Sequence, residues 1–331
     1  MGALISLIAV VVLALLAAAG AGGGEGLRIG LGVVLPGIAF AVFLGGIIYR
    51  VTRWAQSPVA FRIPTTCGQA KSLPWIRNNE LESPSGLPGV IGRMGLEVLF
   101  FRSLFRNTKA ELRDGPRLVY GEEMWLWLAA LAFHWTFVIV FLRHLRFFME
   151  PVPACVLALQ SIDGFMQIGA PVLLWTGIIL PVALLYLLAR RLFQQQVKYI
   201  SLFTDYFALL LLLGLAISGI LMRYFTKVDI IGIKQLGVGL VTLSPIVPEA
   251  VGPLFFIHLF LLCVLLAYFP FSKLVHMPGV FLSPTRNLAN NNRAVRHMNP
   301  WNPEVKVHTY EEWEEEFHDK IVAAGLPLDK E

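Results

Sequence analysis

Six stretches of about twenty apolar residues dominate this sequence, and each is long enough to cross the roughly 30 Å hydrocarbon core of a bilayer as a helix. Hydrophobic residues make up 56% of the 331-residue chain and charged residues only 15%, against roughly 25% in soluble globular chains. The stretches run from about Leu4 to Gly20, Ile29 to Tyr49, Met124 to Phe148, Ile168 to Ala189, Leu202 to Tyr224 and Val251 to Val275. The sequence therefore predicts an all-α membrane protein built as a six-transmembrane-helix bundle.

Two of these stretches carry a further expectation. No Lys or Arg precedes the apolar run of the first stretch, whereas a signal peptide begins with a positively charged region. We therefore expect the first stretch to be a true span. The sixth contains Pro270, which removes a backbone hydrogen bond and predicts a kink inside that helix.

The distribution of basic residues predicts the orientation of the bundle. Of the 27 Lys and Arg residues, 21 lie between the second and third stretches, between the fourth and fifth, or from Lys273 onward. The positive-inside rule places these regions and both termini in the cytoplasm. We expect a transmembrane domain over residues 1–277, with a cytoplasmic loop at 50–121, and a polar cytoplasmic tail at 278–331. The expected location is the inner (cytoplasmic) membrane, with multiple passes.

Two polar regions contain candidate surface helices. Near residues 91–106, apolar side chains recur at helical spacing at Met94, Val98, Phe101 and Phe105. The opposite flank can hold Arg93, Arg102 and Arg106. This pattern predicts an interfacial helix with its basic face toward lipid headgroups, or else a docking helix for a partner protein. In the tail, five glutamates surround Trp313 and Phe317, which indicates a solvated acidic helix or a docking element.

Four of the seven histidines, His134, His144, His258 and His276, lie in or at the ends of the third and sixth stretches. At 3.6 residues per turn, the 18 residues from His258 to His276 make about five whole turns, whereas His134 and His144 lie about 80° apart. Because the two helices run antiparallel, His144 pairs with His258 toward the outer face and His134 with His276 toward the inner face. The rises of about 15 Å and about 27 Å differ, and the kink at Pro270 has to absorb part of this difference.

Two histidines from facing helices, repeated at two levels, are the ligand set of two b-type haems. Ionisable groups inside a bilayer are costly and usually mark function. A zinc site needs clustered ligands, and a proton relay needs acidic partners, of which Asp205 is the only one clearly inside a stretch. We expect His144 and His258 to bind the outer haem iron, and His134 and His276 the inner one. The alternative is a transporter or structural anchor whose histidines serve protonation or packing.

Other motifs are sparse. Arg143 and Arg146 flank His144 and are candidate contacts for haem propionates; the inner equivalents are Arg190, Arg191 and Lys273. The cysteines, Cys67, Cys155 and Cys263, are too far apart to form a cluster-binding motif, so iron–sulfur chemistry would need another chain. No catalytic nucleophile–base pair, phosphate loop or dinucleotide fingerprint is present, and we expect no nucleic-acid partner.

The ten-residue and eighteen-residue spacing of the histidines resembles the nitrate reductase gamma-subunit family of membrane cytochromes b. The resemblance covers the second to sixth stretches and leaves the first as an addition. Three segments look like the DsrM branch, the haem b subunit of the sulfite-reduction-associated DsrMKJOP complex: FRSLFRNT at 101–108, SPTRN at 283–287 and NPWNP at 299–303.

This resemblance implies two haem b groups, menaquinone as an exchangeable substrate, and electron exchange with a cytoplasmic iron–sulfur subunit. That partner is DsrK-like, similar to the catalytic subunit of heterodisulfide reductase, beside other membrane and periplasmic cytochrome subunits. The implied role is electron transfer in dissimilatory sulfate reduction or sulfur oxidation. We expect the quinone to meet the outer haem, near Arg143, Arg146 or the edge of His144; a site beside the inner haem, near Lys273, stays open.

Overall fold

The computed structural model of the chain describes residues 1–57, 70–71, 73–106, 108–113, 115, 117–167, 171–283, 285–291, 295 and 306–329. Within them, six helices are long and apolar enough to cross a membrane, and we call them spans one to six. They are Gly2–Ala21, Glu25–Ala55, Met124–Phe147, Trp175–Phe193, Phe203–Thr226 and Pro253–Phe271. The predicted all-α, six-span membrane fold is confirmed. Cys67, Ile168 and the segment 299–303 lie outside the described residues.

The spans alternate in direction. Gly2 of span one lies beside Phe203 of span five, and the end of span four meets the start of span three where Arg190 pairs with Glu123 at 3.5 Å. We call the end at which spans one, three and five begin the inner end, and the opposite end the outer end, following the predicted orientation.

Span four begins at Trp175, later than the predicted start near Ile168. Two short strands, Gly164–Met166 and Leu173–Leu174, pair antiparallel just before it. The buried Asp163 carboxylate then accepts the backbone N–H of Thr176 at 2.9 Å and the Thr176 hydroxyl at 2.6 Å. These bonds satisfy donors of the first helical turn, and so the helix begins there.

Span six ends at Pro270 instead of kinking there. Its α-helix closes at Tyr268, a 3₁₀ turn follows over Phe269–Phe271, and Ser272 is extended. Proline lacks a backbone N–H and clashes with the preceding turn of a helix. Close packing reinforces the stop, because a Cβ on Gly46 of span two would lie 2.5 Å from Pro270 Cβ. The prediction of one helix continuing to Val275 is therefore wrong.

The chain beyond Pro270 stays near the bundle in short turns. Lys273–Val275 is a 3₁₀ turn capped by the Ser272 side chain, and His276–Gly279 is one short helix. His276 thus lies beyond span six, and the interval from His258 to His276 is not an unbroken helix. The rise of about 27 Å expected for a continuous helix does not apply, which removes the mismatch with span three.

Contacts between the spans leave the two histidine-bearing helices apart. Span three packs on span four, span four on span five, and span six on spans one, two and five. In the part of the chain that the structure describes, spans three and six make no comparable contact with each other. Directly packed helices approach to roughly 8–10 Å. Spans three and six therefore do not pack backbone to backbone, and we call the region between them the slot. The core of Leu184, Leu211 and Leu261 lies beside it, and Phe133 and Val140 of span three pack against this core.

Two helices occupy the loop region where one interfacial helix is predicted near residues 91–106. Leu87–Phe100 and Arg102–Phe105 are separated by Phe101, whose φ of 52° lies in the left-handed region. The indole nitrogens of Trp127 and Trp135 donate to the carbonyls of Phe100 and Leu99 at 2.7 and 3.0 Å. Span three therefore caps the end of the first helix.

The arginines predicted to form a basic face in this region have partners in the loop. Arg93 is buried, and Arg102 and Arg106 both form ion pairs with Glu82. Arg106 is still half exposed, and a basic face toward lipid headgroups stays a prediction. The position of the helix at the membrane surface stays a prediction.

The loop also makes defined contacts with the tail. Arg286 pairs with Glu97 at 2.7 Å, and Asn290 Nδ2 donates to Ser83 Oγ at 2.5 Å. Nearby, the backbone N–H and hydroxyl of Ser85 donate to the Glu80 carboxylate at 2.9 and 2.7 Å, and these bonds lower the pKa of Glu80. The remaining elements are an antiparallel hairpin of Thr108–Arg113 with Arg117–Glu122, and the helices Ala154–Asp163, Gln195–Ile200, Ile230–Val241 and Tyr310–Ala323.

Candidate functional site

The two histidine pairs expected from the sequence face each other across the slot. At the outer end, the rings of His144 and His258 have centroids 6.3 Å apart and planes 12° from parallel. At the inner end, the rings of His134 and His276 have centroids 6.0 Å apart and planes inclined by 80°. Each pair joins span three to span six or to the turn that follows it.

Hydrogen bonds orient all four rings through the same nitrogen, Nδ1. His134 and His144 each bond the carbonyl four residues earlier in their own helix, at 2.7 Å, and His276 bonds the carbonyl of Lys273 at 2.8 Å. A carbonyl can only accept, so Nδ1 carries the proton in these three rings. His258 differs, because its Nδ1 lies 2.8 Å from the Ser218 hydroxyl. With Nδ1 engaged, Nε2 is the nitrogen able to bind a metal.

The separation within each pair fits one metal ion held from both sides. A metal–imidazole bond of about 2 Å and roughly 1.2 Å from nitrogen to ring centre place two such centroids about 6.4 Å apart. No group of three or more His, Cys, Asp or Glu side chains converges among the described residues. Two protein ligands alone suit haem, since its macrocycle supplies the other donors. The donor set therefore fits two haem groups in the slot.

Two aromatic side chains pack against His134 of the inner pair. The rings of Phe101 and Phe133 both lie 4.8 Å from His134, in edge-to-face geometry. Phe101 is the left-handed residue that separates the two loop helices, so this break in the loop places an aromatic ring against the inner pair. The sequence indicated helical spacing here, but nothing in it indicated this contact.

The arginines beside the outer pair already have partners. Arg143 forms an ion pair with the buried Asp163 and donates to Thr176 Oγ1 at 2.9 Å. Arg146 donates to Gln160 Oε1 at 2.6 Å. Of the predicted propionate or quinone contacts, Arg143 retains one buried nitrogen, Nε, with no hydrogen-bond partner among the described residues. Sequence analysis missed Asp163, since the ion pair joins residues far apart in the chain.

At the inner end, Asp205 links the turn that carries His276 to spans four and five. Its carboxylate accepts from Lys273 Nζ at 2.9 and 3.2 Å and from the Leu202 backbone at 3.0 Å. Arg191 approaches the same carboxylate at 3.9 Å. Because the carbonyl of Lys273 accepts the bond from His276, this ion pair fixes the turn that holds His276. Lys273 and Arg191, which were predicted as propionate contacts, are both turned toward Asp205.

Fold and site together define a multi-pass membrane protein in which paired imidazoles at two levels join span three to span six and to the turn that follows it. Residues 119–298, more than half of the chain, match the nitrate reductase gamma subunit family. The chain belongs to this family, and the predicted family assignment, a DsrM-like cytochrome b, is confirmed.

Two relatives carry a more specific description. The chain is 44% identical over 279 residues to an Hdr-like menaquinol oxidoreductase cytochrome b-like subunit of Archaeoglobus fulgidus, covering 82% of this chain and 83% of the relative. It is 41% identical over 280 residues to the protein of the same description in Archaeoglobus profundus, with the same coverage. The similarity therefore extends over most of this chain and most of each relative.

Proposed function

We propose that this chain is the di-haem b membrane subunit of a menaquinol oxidoreductase, exchanging electrons between the menaquinone pool and a cytoplasmic iron–sulfur subunit. The observation that carries the proposal is the pair of facing imidazoles at each end of the slot. The descriptions of the two relatives as menaquinol oxidoreductase cytochrome b-like subunits support it. Iron–sulfur chemistry belongs to the partner in this proposal.

Haem b, when bound between two imidazoles, supplies a one-electron centre without an open coordination position, which suits electron transfer rather than oxygen binding. The chain's own residues do the positioning. Hydrogen bonds at Nδ1 keep each ring in one tautomer and direct Nε2 toward the metal position. The rings of Phe101 and Phe133 pack against His134 and limit the orientations open to it.

We place the partner subunit at the inner end, with the loop and tail facing the cytoplasm. The helix Tyr310–Ala323 presents an acidic surface and an aromatic row, in which Trp313 lies 5.7 Å from Tyr310 and 5.8 Å from Phe317. This helix is the proposed contact for the DsrK-like subunit in dissimilatory sulfur metabolism. Truncation after Lys306 should leave the loop–tail contacts and haem content intact and abolish co-purification of the partner. Retained co-purification would exclude the helix as the docking element.

Quinol oxidation is proposed to occur beside the outer pair, since the inner pair lies nearest the partner. The buried Arg143 Nε is the available donor for a quinone oxygen there. Electrons would then cross between the two haems, with protons exchanged outside. Moving one charge through the membrane potential is worth about 2.3 kcal/mol per 100 mV, so this placement makes the reaction electrogenic.

Rapid reduction by a menaquinol analogue tests this placement. His258→Ala removes the outer haem, and the remaining inner haem should then be reduced at least about tenfold more slowly than in the unmodified protein. The matched control is His276→Ala, in which the outer haem should still be reduced at the native rate. Native-rate reduction of the inner haem in His258→Ala would exclude the outer quinone site and favour one near Lys273.

A further inference from the structure

The hydroxyl of Ser218 contacts Nδ1 of His258, one histidine of the outer pair. Ser218 lies in span five and is only 5% exposed. Among the described hydrogen bonds that orient the four histidine rings, its hydroxyl is the one partner that belongs to a side chain. The other three rings are held by backbone carbonyls alone, whereas His258 has the Ser218 hydroxyl beside the backbone carbonyl of Leu215.

The bonds around Ser218 determine the direction of this contact. Its Oγ lies 2.8 Å from the carbonyl oxygen of Gly214 and 3.1 Å from that of Leu215. A serine hydroxyl has one hydrogen and two lone pairs, whereas a carbonyl can only accept. If the hydroxyl donated to His258 instead, its oxygen would face two carbonyl oxygens without a hydrogen between them. The hydroxyl therefore donates to the backbone and accepts from His258 Nδ1.

The direction of this hydrogen bond determines the tautomer of the His258 ring. A neutral imidazole that donates from Nδ1 carries its free lone pair on Nε2, the nitrogen needed for binding iron. The ring also lies against Gly219, where a Cβ would be 3.5 Å from His258 Cε1. Ser218 and Gly219 of span five therefore both contact the ring of His258, although span five carries none of the four histidines.

We propose that Ser218 is the positioning residue of the outer haem: its hydroxyl sets the tautomer and orientation of His258. This inference rests on the proposed function. An acceptor at Nδ1 strengthens the imidazole as a donor to the metal and favours ferric over ferrous iron. The midpoint potential of the outer haem therefore depends in part on a side chain, whereas the other three histidines are oriented by backbone carbonyls alone.

The test uses Ser218→Ala, with Ser218→Thr as the conservative variant. Threonine keeps the hydroxyl at this position, and Ser218 borders an apolar groove of about 290 Å³ between spans one, five and six. In Ser218→Ala, the midpoint potential of the outer haem should rise, or its occupancy should fall on the order of tenfold. The inner haem should be unchanged, and Ser218→Thr should restore the native values.

A matched control is available on span one. Ser6 is fully buried and donates to the carbonyl of Gly2 at 2.8 Å, as Ser218 does to that of Gly214. Its described hydrogen-bond partners are the backbone carbonyls of Gly2 and Phe203. Ser6→Ala should leave both potentials unchanged. An unchanged outer haem in Ser218→Ala, the same shift in Ser6→Ala, or a loss that Ser218→Thr does not repair would each overturn the inference. Absence of haem from the unmodified protein would instead overturn the proposed function.

Discussion

The angle between the two rings of each pair predicts two spectroscopically different haems. When axial imidazoles are parallel, both perturb the same iron d orbital, and low-spin ferric haem gives a rhombic electron paramagnetic resonance spectrum. When they are perpendicular, the two orbitals stay nearly equal in energy and the spectrum becomes highly anisotropic. The outer pair, at 12°, and the inner pair, at 80°, lie close to the two extremes. The oxidised protein should therefore give one rhombic and one highly anisotropic signal.

Removing one ligand at a time assigns the two signals. His258→Ala should abolish the rhombic signal and leave the anisotropic one, and His276→Ala should do the reverse. The perpendicular inner geometry is supported by Phe101 and Phe133, which hold His134 from two sides. Two signals of the same type in the unmodified protein, or loss of the anisotropic signal in His258→Ala, would refute the assignment of ring geometry to each haem.

Three further substitutions test the contacts that support the site. In Asp205→Asn, the turn that holds His276 loses its ion pair, so occupancy of the inner haem should fall on the order of tenfold while the outer haem is retained. Haem content measures this effect, and equal loss of both haems would contradict it. Arg143→Ala should lower the free energy of unfolding by about 3–5 kcal/mol, because it leaves Asp163 buried without its partner. The double variant with Asp163→Asn should recover part of the lost stability. An unchanged unfolding midpoint in Arg143→Ala would refute this. Glu80 has a lowered pKa, so its turn is stabilised above the unfolded-state pKa and loses this stabilisation as the pH falls through the folded-state pKa. The protection of amides in this turn against hydrogen exchange, corrected for the intrinsic pH dependence of exchange, should therefore fall with acid, and Glu80→Gln should remove that fall.

Hydropathy was sufficient to predict the number and approximate bounds of the spans, because a bilayer demands about twenty apolar residues from each. It failed at their ends. Span four begins where Asp163 binds Thr176, and span six stops where Pro270 packs on Gly46. Both contacts join segments that the sequence does not show to be neighbours.

The four histidines lie in the two pairs that their spacing predicts, although the helix which that spacing implies is not continuous. The structure brings His276 to His134 through a separate turn after Pro270. Sequence analysis noted Asp205 only as a lone carboxylate and did not single out Ser218. A serine in an apolar helix is ordinary, and only its distance to His258 marks it as important.

Counting haem b per chain in two double variants tests the central claim most directly. His144→Ala with His258→Ala removes both ligands of one pair, so the pyridine haemochrome assay should find one haem where the unmodified protein has two. His134→Ala with His258→Ala removes one ligand from each pair and should leave none. Equal haem content in the two double variants, or fewer than two haems in the unmodified protein, would contradict two haems held by these pairs.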